Sequence, residues 1–344
     1  MSINTNDSSV THEAEYYSHR DDGSVECCLC PHGCIIAEGR RGRCRSRVNI
    51  GGRLVTEAYG RVCAVAVDPV EKKPLLHFHP GSQCLSLAAT GCNLACLNCQ
   101  NSSISQAAPG DVPSRNIGPD MVAQLAEAYN CHSVAYTYTE PLTYLEYTRD
   151  CAMACHKRGL ANILVTAGYV NPGPLTDLLP YIDAANVDLK SFSDDIYRSV
   201  SSASLEPVLR TLTMMRDAGL WLEITNLVIP GVNDDMGMIA SMCRWLADNG
   251  LADAPLHFSR FFPQYRMTDI APTPVDTLIE ARRVATANGM NYVYIGNVNL
   301  PGAEDTHCPD CGSLLVRRNG YEVSAKGFGG TCSKCGLKVP GVWG

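Results

Sequence analysis

Cys92, Cys96 and Cys99 supply three thiols from one short loop of eight residues. Their C-x3-C-x2-C spacing is compact enough to hold a multi-iron core, and a [4Fe–4S] cube usually takes four cysteine ligands. Three local ligands without an obvious fourth would leave one iron open, and chemistry takes place at an open metal position. The alternatives are chance clustering or a structural zinc loop, which would need a fourth ligand from elsewhere in the chain to complete a tetrahedral site.

The composition describes an ordinary globular protein. The chain has 344 residues, of which 45% are hydrophobic and 18% are charged, so it can bury a large core. A net charge of −7 disfavours a surface that binds nucleic-acid phosphates. The sequence has no run of 18 uncharged apolar residues, so no membrane association is expected. Residues 1–22 are polar and lack the apolar segment of a signal peptide, and a disordered tail is predicted there.

Eighteen cysteines are many for a chain of this length. Without a secretory signal, they indicate metal ligands and reduced thiols in a cytoplasmic protein rather than a disulfide framework. Eleven of them fall into three groups with ligand-like spacing, at positions 27/30/34/44, 92/96/99 and 308/311/332/335.

Short apolar runs alternate with longer amphipathic segments from residue 84 to residue 297. Predicted strands lie at 84–89, 133–138, 161–166, 184–189, 221–228, 256–261 and 291–295, and predicted helices at 119–130, 142–158, 205–219, 235–249 and 274–288. This alternation indicates an α/β fold with a parallel sheet of right-handed βαβ units. Six to seven strands are too few for a closed eightfold barrel. The sequence therefore predicts an open, partial TIM-like β/α barrel with its polar residues at one rim.

The last segment predicts a separate metal-binding module. Cys308, Cys311, Cys332 and Cys335 form two C-x2-C-G motifs that are separated by twenty residues. This is the spacing of a zinc ribbon, although a rubredoxin-like iron site uses similar motifs.

The first cysteine group is more ambiguous. Cys27, Cys30, Cys34 and Cys44 offer four thiols, and His32 lies between them. A structural zinc ion, an auxiliary iron–sulfur cluster and unligated thiols all suit this pattern. The predicted organisation is a tail at 1–22, an N-terminal cysteine-rich segment at 23–80, the barrel at 81–300 and the zinc-ribbon-like module at 301–344.

The loop around Cys92 resembles the signature of the radical S-adenosylmethionine (SAM) superfamily. Its Cys-Asn-Leu start and Cys-Gln-Asn end are most similar to the activases of glycyl radical enzymes, such as the pyruvate formate-lyase-activating enzyme. Other segments resemble the radical SAM enzyme of the AmmeMemoRadiSam system, so that the resemblance spans residues 27–344. These segments lie at 29–32, 68–75, 77–81, 138–141, 186–190, 229–234, 255–261, 293–298 and 340–343.

The resemblance implies a partial-barrel enzyme with a [4Fe–4S] cluster on Cys92, Cys96 and Cys99. SAM would chelate the fourth iron, and a low-potential electron donor would drive its cleavage to a 5′-deoxyadenosyl radical that abstracts a hydrogen atom. The protein would position these groups and exclude competing reactions. A protein substrate would come from Memo-like or AMMECR-like partners of the same system.

The same resemblance implies residues that hold SAM. Glu140, in the segment Tyr-Thr-Glu-Pro, would face the amino group of SAM, although this segment lacks the glycines usual in the superfamily. A charge at the start of the following helix is the alternative role for Glu140. Asp188 and Lys190 are two residues apart on one strand and share a side. They would contact SAM, with a plain salt bridge as the alternative, and Asn297 would reach the adenine.

Three functions remain open from the sequence. The first is a radical SAM enzyme that acts on a protein partner, as an activase does. The second is a radical SAM enzyme that modifies a small metabolite or a nucleic-acid base. The third, from another class, is a non-catalytic zinc-binding adaptor whose cysteine groups are all structural.

Overall fold

Two small antiparallel sheets begin the part of the chain that this computed structural model describes, which is residues 12–325 and 327–344. Their strands are β1 (His12–Glu13), β2 (Tyr17–His19), β3 (Val25–Cys27), β4 (Ile35–Ile36), β5 (Arg47–Ile50) and β6 (Arg53–Thr56). Strand β1 pairs with β6, and strand β2 pairs with β3. Residues 12–22 therefore do not form the predicted disordered tail. The rest of that prediction, residues 1–11, lies outside the described residues.

A nine-stranded sheet, the central sheet, forms the body of the protein. Its strands are β7 (Arg61–Pro69), β8 (Gln83–Ala89), β9 (Arg115–Asn116), β10 (Ser133–Tyr136), β11 (Ala161–Thr166), β12 (Ala184–Asp188), β13 (Trp221–Val228), β14 (Leu256–Arg260) and β15 (Val293–Gly296). They stand in the order β15-β14-β13-β12-β11-β10-β8-β7-β9. Strand β8 and strands β10 to β15 run parallel, which confirms the predicted α/β class.

All seven predicted strands are present in the central sheet, but β7 and β9 were not predicted. Strand β7 pairs antiparallel with β8 from Val62 to Pro69. The predicted boundary of the cysteine-rich segment at residue 80 is therefore too late, because residues 61–69 already belong to the central sheet.

Helices connect the strands of the central sheet. They are α1 (Ser102–Ser105), α2 (Pro119–Ala128), α3 (Leu145–His156), α4 (Pro172–Leu178), α5 (Asp194–Ile196), α6 (Leu205–Asp217), α7 (Met236–Leu246) and α8 (Val275–Ala287). Helices α2, α3, α6 and α8 pack against the sheet. Short 3-10 turns lie at Val70–Lys72, Pro141–Tyr144 and Leu179–Tyr181, and π turns at Tyr197–Ser201 and Ala247–Leu251. Within the described residues, no helix is long and apolar enough to cross a membrane.

One face of the central sheet, here called the inner face, is covered by residues 70–81. Val70, Leu75 and Phe78 pack there against apolar side chains of the parallel strands. The Glu223 carboxylate on β13 accepts hydrogen bonds from the backbone N–H groups of Leu76 and His77 at 2.8–2.9 Å. Backbone donors and a buried carboxylate thus hold this segment on the inner face.

The C-terminal module has three strands, β16 (Thr306–His307), β17 (Leu314–Asn319) and β18 (Glu322–Ser324). It is attached to residues 70–81 rather than free. The guanidinium of Arg318 donates to the carbonyl of Leu76 at 2.6 Å, and Val342 pairs with Phe78 in a β-bridge. The ring of Trp343 packs on the ring of His77 with their centroids 4.7 Å apart.

Candidate metal-cluster site

The loop that carries Cys92, Cys96 and Cys99, here called the cysteine loop, follows the carboxyl end of β8. Its backbone is fixed by two other parts of the chain. The N–H groups of Ala95 and Leu97 donate to the carbonyls of Ser201 and Val200 at 3.0 and 2.9 Å, and the carbonyl of Leu97 accepts from the N–H of Arg266 at 2.9 Å. The π turn after β12 and the segment after β14 therefore both hold the cysteine loop.

Each sulfur of the cysteine loop has a polar neighbour. The N–H of Leu94 donates to Sγ of Cys92 at 3.4 Å, Sγ of Cys96 lies 3.4 Å from Oγ of Ser201, and Sγ of Cys99 lies 3.1 Å from Oγ of Ser105. All three cysteines are half-buried. Hydrogen bonds to the sulfurs and limited solvent access are the features that tune iron–sulfur clusters.

The three sulfurs are gathered less tightly than the ligands of a single small ion. Zinc–sulfur bonds of about 2.3 Å in a tetrahedron would put the sulfurs about 3.8 Å apart. Among the described residues, the sulfurs of Cys92, Cys96 and Cys99 do not form a group in which all lie within 4.8 Å of one another. A cluster binds each thiolate to a different iron and so needs this wider spread. The donor set and its spacing therefore fit a multi-iron cluster.

Two side chains predicted as site residues, Glu140 and Lys190, lie close enough to shift the pKa values of thiols in the cysteine loop. Burial raises the pKa of the Cys92 thiol well above its usual value, and the Glu140 carboxylate raises it further. Burial also raises the pKa of Cys96, but there the Lys190 ammonium opposes the shift. The structure thus brings Glu140 and Lys190 together with the cysteines, as the sequence predicted for residues at one rim.

Glu140 is buried at the end of the loop that follows β10. Its Oε1 accepts from the N–H of Leu142 at 3.2 Å and from the hydroxyl of Thr166 at 2.6 Å, and its Oε2 accepts from the N–H of Ala167 at 2.8 Å. Burial raises the pKa of Glu140, and these hydrogen bonds oppose the shift. Glu140 therefore caps the turn Pro141–Tyr144, which was its alternative role, and it also ties β10 to β11.

Asp188 and Lys190 form an ion pair, with Nζ and Oδ2 2.6 Å apart. Burial disfavours the charge of Lys190, yet the Asp188 carboxylate and the Cys96 thiol hold its pKa above the usual value. A cleft of about 300 Å³, counting the space at its mouth, lies beside this pair. It is lined by Asn98, Lys190, Ile196, Tyr197, Val200, Ser201, Leu227, Ile229, Val232 and Asn233.

The sequence analysis did not single out Asn98 or Asn233 in this cleft. Asn98 stands inside the cysteine loop, and its position between Cys96 and Cys99 was the available signal. Asn233 donates to the carbonyls of Lys190 and Leu227, both at 2.8 Å. The contact with Lys190 spans 43 residues, so the local sequence around Asn233 does not reveal it.

Asn297 is not brought to the cysteine loop by any described hydrogen bond. It follows β15 at the edge of the central sheet, and five strands stand between β15 and β8 in the strand order. Its side-chain amide donates to the carbonyl of Arg260 at 2.8 Å, and the residue is exposed.

The C-terminal module carries a compact group of cysteines, here called the four-cysteine site. Sγ of Cys308 lies 3.5 Å from Sγ of Cys335, and Sγ of Cys311 lies 3.6 Å from Sγ of Cys332. All four ligand atoms lie within 4.8 Å of one another. The Ser313 hydroxyl beside Cys311 lowers the pKa of that thiol to about 6, which favours the thiolate that binds metal. The structure thus brings together the four cysteines of the two C-x2-C-G motifs in a group that could hold a metal ion.

The class of protein follows from these features. A parallel α/β sheet carries three widely spread cysteines at its carboxyl rim, beside an acidic and a basic side chain, as in an iron–sulfur enzyme. Residues 87–243 match the family model of the radical SAM superfamily. The chain is also 44% identical over 332 residues to an uncharacterized protein of Methanocaldococcus jannaschii, covering 95% of this chain and 98% of that protein.

The chain belongs to the radical SAM superfamily, and this family implies a [4Fe–4S] cluster and SAM. It is 27% identical over 219 residues to the pyruvate formate-lyase 1-activating enzyme of Escherichia coli K12, covering 59% of this chain and 89% of that enzyme. A radical SAM methyltransferase from Sphaerobacter thermophilus has a similar fold, with a TM-score of 0.50 and 15% identity over 69% of this chain and 71% of that one.

Proposed function

We propose that this protein is an activase-like radical SAM enzyme that acts on a protein partner. When bound at Cys92, Cys96 and Cys99, a [4Fe–4S] cluster would supply the electron that cleaves SAM to methionine and a 5′-deoxyadenosyl radical, which abstracts a hydrogen atom. The observation that carries this proposal is the wide spread of three sulfurs beside Glu140 and Lys190. Similarity to an activating enzyme supports the choice of a protein substrate.

The chain's own residues have distinct tasks in this proposal. Glu140 accepts one described hydrogen bond at Oε2, so that oxygen retains acceptor capacity for the ammonium of SAM. Lys190 lies between Cys96 and the cleft and would face the carboxylate of SAM, while Asp188 orients the Lys190 ammonium. Asn98 and Val232 line the cleft where the adenosine would fit. Asn297 would reach the adenine only from the edge strand.

We also propose that the central sheet curves into an open, partial β/α barrel. Three contacts support the curvature. Arg266, after β14, reaches the cysteine loop after β8, although four strands stand between β14 and β8 in the sheet. On the inner face, His77 hydrogen-bonds to Tyr294 of β15 at 2.6 Å, while Leu76 binds Glu223 of β13.

The four-cysteine site is proposed to hold zinc, because its sulfur separations are close to those of a zinc tetrahedron. Membership of the AmmeMemoRadiSam branch, with Memo-like or AMMECR-like partners, is proposed from the segments that carry that resemblance. A cytoplasmic location is proposed because none of the eighteen cysteines is in a disulfide bond, which suits a reducing compartment.

The test is SAM cleavage by the full chain after anaerobic reconstitution with iron and sulfide. With dithionite and SAM, we expect 5′-deoxyadenosine from the wild type and from Cys63→Ser, and a loss of at least about a thousandfold in Cys96→Ala. Cys63 is a matched control because its sulfur contacts the carbonyl of Ala88, outside the cysteine loop. Equal product from Cys96→Ala and the wild type would overturn the proposal.

The partner is tested separately with deuterium-labelled proteins of the same system. Deuterium in 5′-deoxyadenosine would identify a protein substrate. Cleavage of SAM without deuterium transfer from any such protein, but with transfer from a metabolite pool or nucleic acid, would favour the alternative substrates.

A further inference from the structure

Four cysteines of the N-terminal region surround one cavity. Cys27 ends β3, Cys30 and Cys34 flank the turn before β4, and Cys44 precedes β5. All four line a space of about 330 Å³, counting its mouth. Cys27, Cys30 and Cys44 are buried, and Cys34 is half-buried.

Neighbouring groups that could act as ligands are already engaged. Nε2 of His32 lies 2.8 Å from the carbonyl oxygen of Asn93, and Nδ1 lies 3.2 Å from a guanidinium nitrogen of Arg43. A neutral ring that donates from Nε2 and accepts at Nδ1 satisfies both contacts. Cys28 is exposed and is not among the residues that line the cavity. The ligand set of the cavity is therefore four thiols.

The four sulfurs are near enough to interact but are gathered less tightly than those of the four-cysteine site. Burial raises the pKa of Cys27 to about 11, and Cys44 and Cys34 add to this shift. Burial raises the pKa of Cys30 to about 12, with additions from Cys44 and Cys27. Yet in the described part of the chain no three of these sulfurs form a group within 4.8 Å, unlike those of the four-cysteine site. A single zinc ion would require sulfurs about 3.8 Å apart.

The surroundings of the cavity also suit an anionic group. Arg47 is buried on its wall and makes two hydrogen bonds to Glu146, at 2.8 and 2.6 Å. Arg43 also lines the cavity, so two arginines border a site that would carry negative charge.

The cavity adjoins the cysteine loop directly. Asn93, which follows Cys92, lines the cavity, and its side chain lowers the pKa of Cys30. Gly91 has a φ of +98°, and a Cβ there would lie 2.4 Å from the carbonyl oxygen of Cys44. The start of the cysteine loop therefore lies directly against the backbone of Cys44, so closely that only glycine fits at position 91.

We propose that Cys27, Cys30, Cys34 and Cys44 hold a second [4Fe–4S] cluster, separate from the one on the cysteine loop. All four irons would have a cysteine ligand, so none would be open to SAM or substrate. This assignment does not depend on the proposed function, because it concerns residues outside the cysteine loop.

The test removes the cysteine loop's ligands from the full chain. After anaerobic reconstitution of Cys92→Ala/Cys96→Ala/Cys99→Ala, we expect about four irons and four sulfides per chain, with Mössbauer parameters of a [4Fe–4S] cluster. Adding Cys30→Ser should remove this iron, whereas adding Cys28→Ser should not. A triple variant that binds a second zinc ion instead of iron, or no metal beyond one zinc, would overturn the proposal.

The wild type gives a second measurement that does not require a folded variant. About eight irons and one zinc per chain would support the second cluster. About four irons with either one or two zinc ions would contradict it, while leaving SAM cleavage by the cysteine loop intact.

Discussion

The four-cysteine site and the cysteine loop arrange their cysteine ligands in opposite ways. The four-cysteine site gathers its thiols within 4.8 Å from two motifs of one small module. The cysteine loop presents three widely spread thiols, and its backbone is held by Ser201, Val200 and Arg266 from distant parts of the chain. The first site is complete in itself, whereas the second is incomplete and depends on the whole central sheet for its shape.

This difference distinguishes a metal ion that stabilises the fold from a metal cluster that takes part in a reaction. A site with four protein ligands contributes folding energy, because the unfolded chain has no preformed equivalent. A site with an open position must instead be kept in shape by other elements, since it has one protein ligand fewer to support it. Substitutions at the two sites should therefore have separable effects.

The largest effect is expected from Cys332→Ala, which removes one ligand of the four-cysteine site. This variant should lose its zinc and, through the lost metal-binding energy, should melt on the order of 10 °C lower. Its iron content and SAM cleavage at low temperature should stay within about twofold of the wild type. Metal analysis and calorimetry provide the measurements, with Ser333→Ala as the control. Loss of iron together with zinc would show that the two regions are not independent.

The next effect is expected from Lys190→Met, which leaves the Asp188 carboxylate unpaired beside Cys96. Loss of a half-buried charge partner should weaken SAM binding by about ten- to a hundredfold. Equilibrium dialysis with labelled SAM would measure it, together with the KM for SAM. Lys157→Met, at an exposed position after α3, is the matched control. An unchanged affinity in Lys190→Met would exclude Lys190 from SAM binding.

A smaller effect is expected from Ser105→Ala, which removes the hydroxyl 3.1 Å from Sγ of Cys99. Loss of one hydrogen bond worth about 1 kcal/mol should slow reductive cleavage roughly fivefold and lower the reduction potential of the cluster. A redox titration followed by EPR would detect the shift. Ser103→Ala changes an exposed residue of the same short helix and should behave as the wild type. A potential equal to that of the control would contradict the role of Ser105.

The last effect concerns stability rather than activity, and it centres on His77, where the C-terminal module meets residues 70–81. Burial lowers the pKa of His77 to about 4, and its ring lies within hydrogen-bond distance of Tyr294 and the carbonyl of Pro340. The unfolded chain binds a proton at this residue near pH 6.5, whereas the folded chain does not until about pH 4. Stability should therefore fall as the pH drops from 6.5 to about 4, by at most ~3 kcal/mol from this residue.

Urea unfolding at several pH values would measure that contribution. The free energy of unfolding of His77→Gln should depend less on pH in this window than that of the wild type or of His19→Gln, an exposed control. Equal slopes in the three proteins would mean that His77 does not link the attachment of the module to pH.

The sequence predicted the strands and the ligand spacings well, for a physical reason. Apolar runs such as 161–166 and 221–228 are buried on both faces and carry their strand signal locally. The spacing of the cysteines is likewise a local signal, although the shape of the cysteine loop depends on distant contacts. The burial of residues 70–81 on the inner face was not predictable, because Glu223, which binds Leu76 and His77, stands far away in the chain, at separations of 147 and 146 residues.

The candidate site likewise contains some residues that the sequence identified and others that it did not. Cys92, Cys96 and Cys99 were identifiable from their spacing, and so was the shared side of Asp188 and Lys190. The neighbours Ser201 and Asn233 were not, since each reaches the site through tertiary contacts. The Glu140 carboxylate is buried and accepts three hydrogen bonds. Two of them, from Thr166 and Ala167, depend on the approach of β11 to the loop after β10.

The bridge between Phe78 and Val342 has a consequence for how the protein is made. His77 and Pro340 are separated by 263 residues, yet they are hydrogen-bonded in the finished fold. On the ribosome, residues 70–81 emerge long before the segment that covers them. The side of this segment that meets the C-terminal module stays exposed until that module is made, even when the central sheet has assembled. Attachment of the module is therefore expected to be a late step of folding, and molecular chaperones would meet this protein with that side still open.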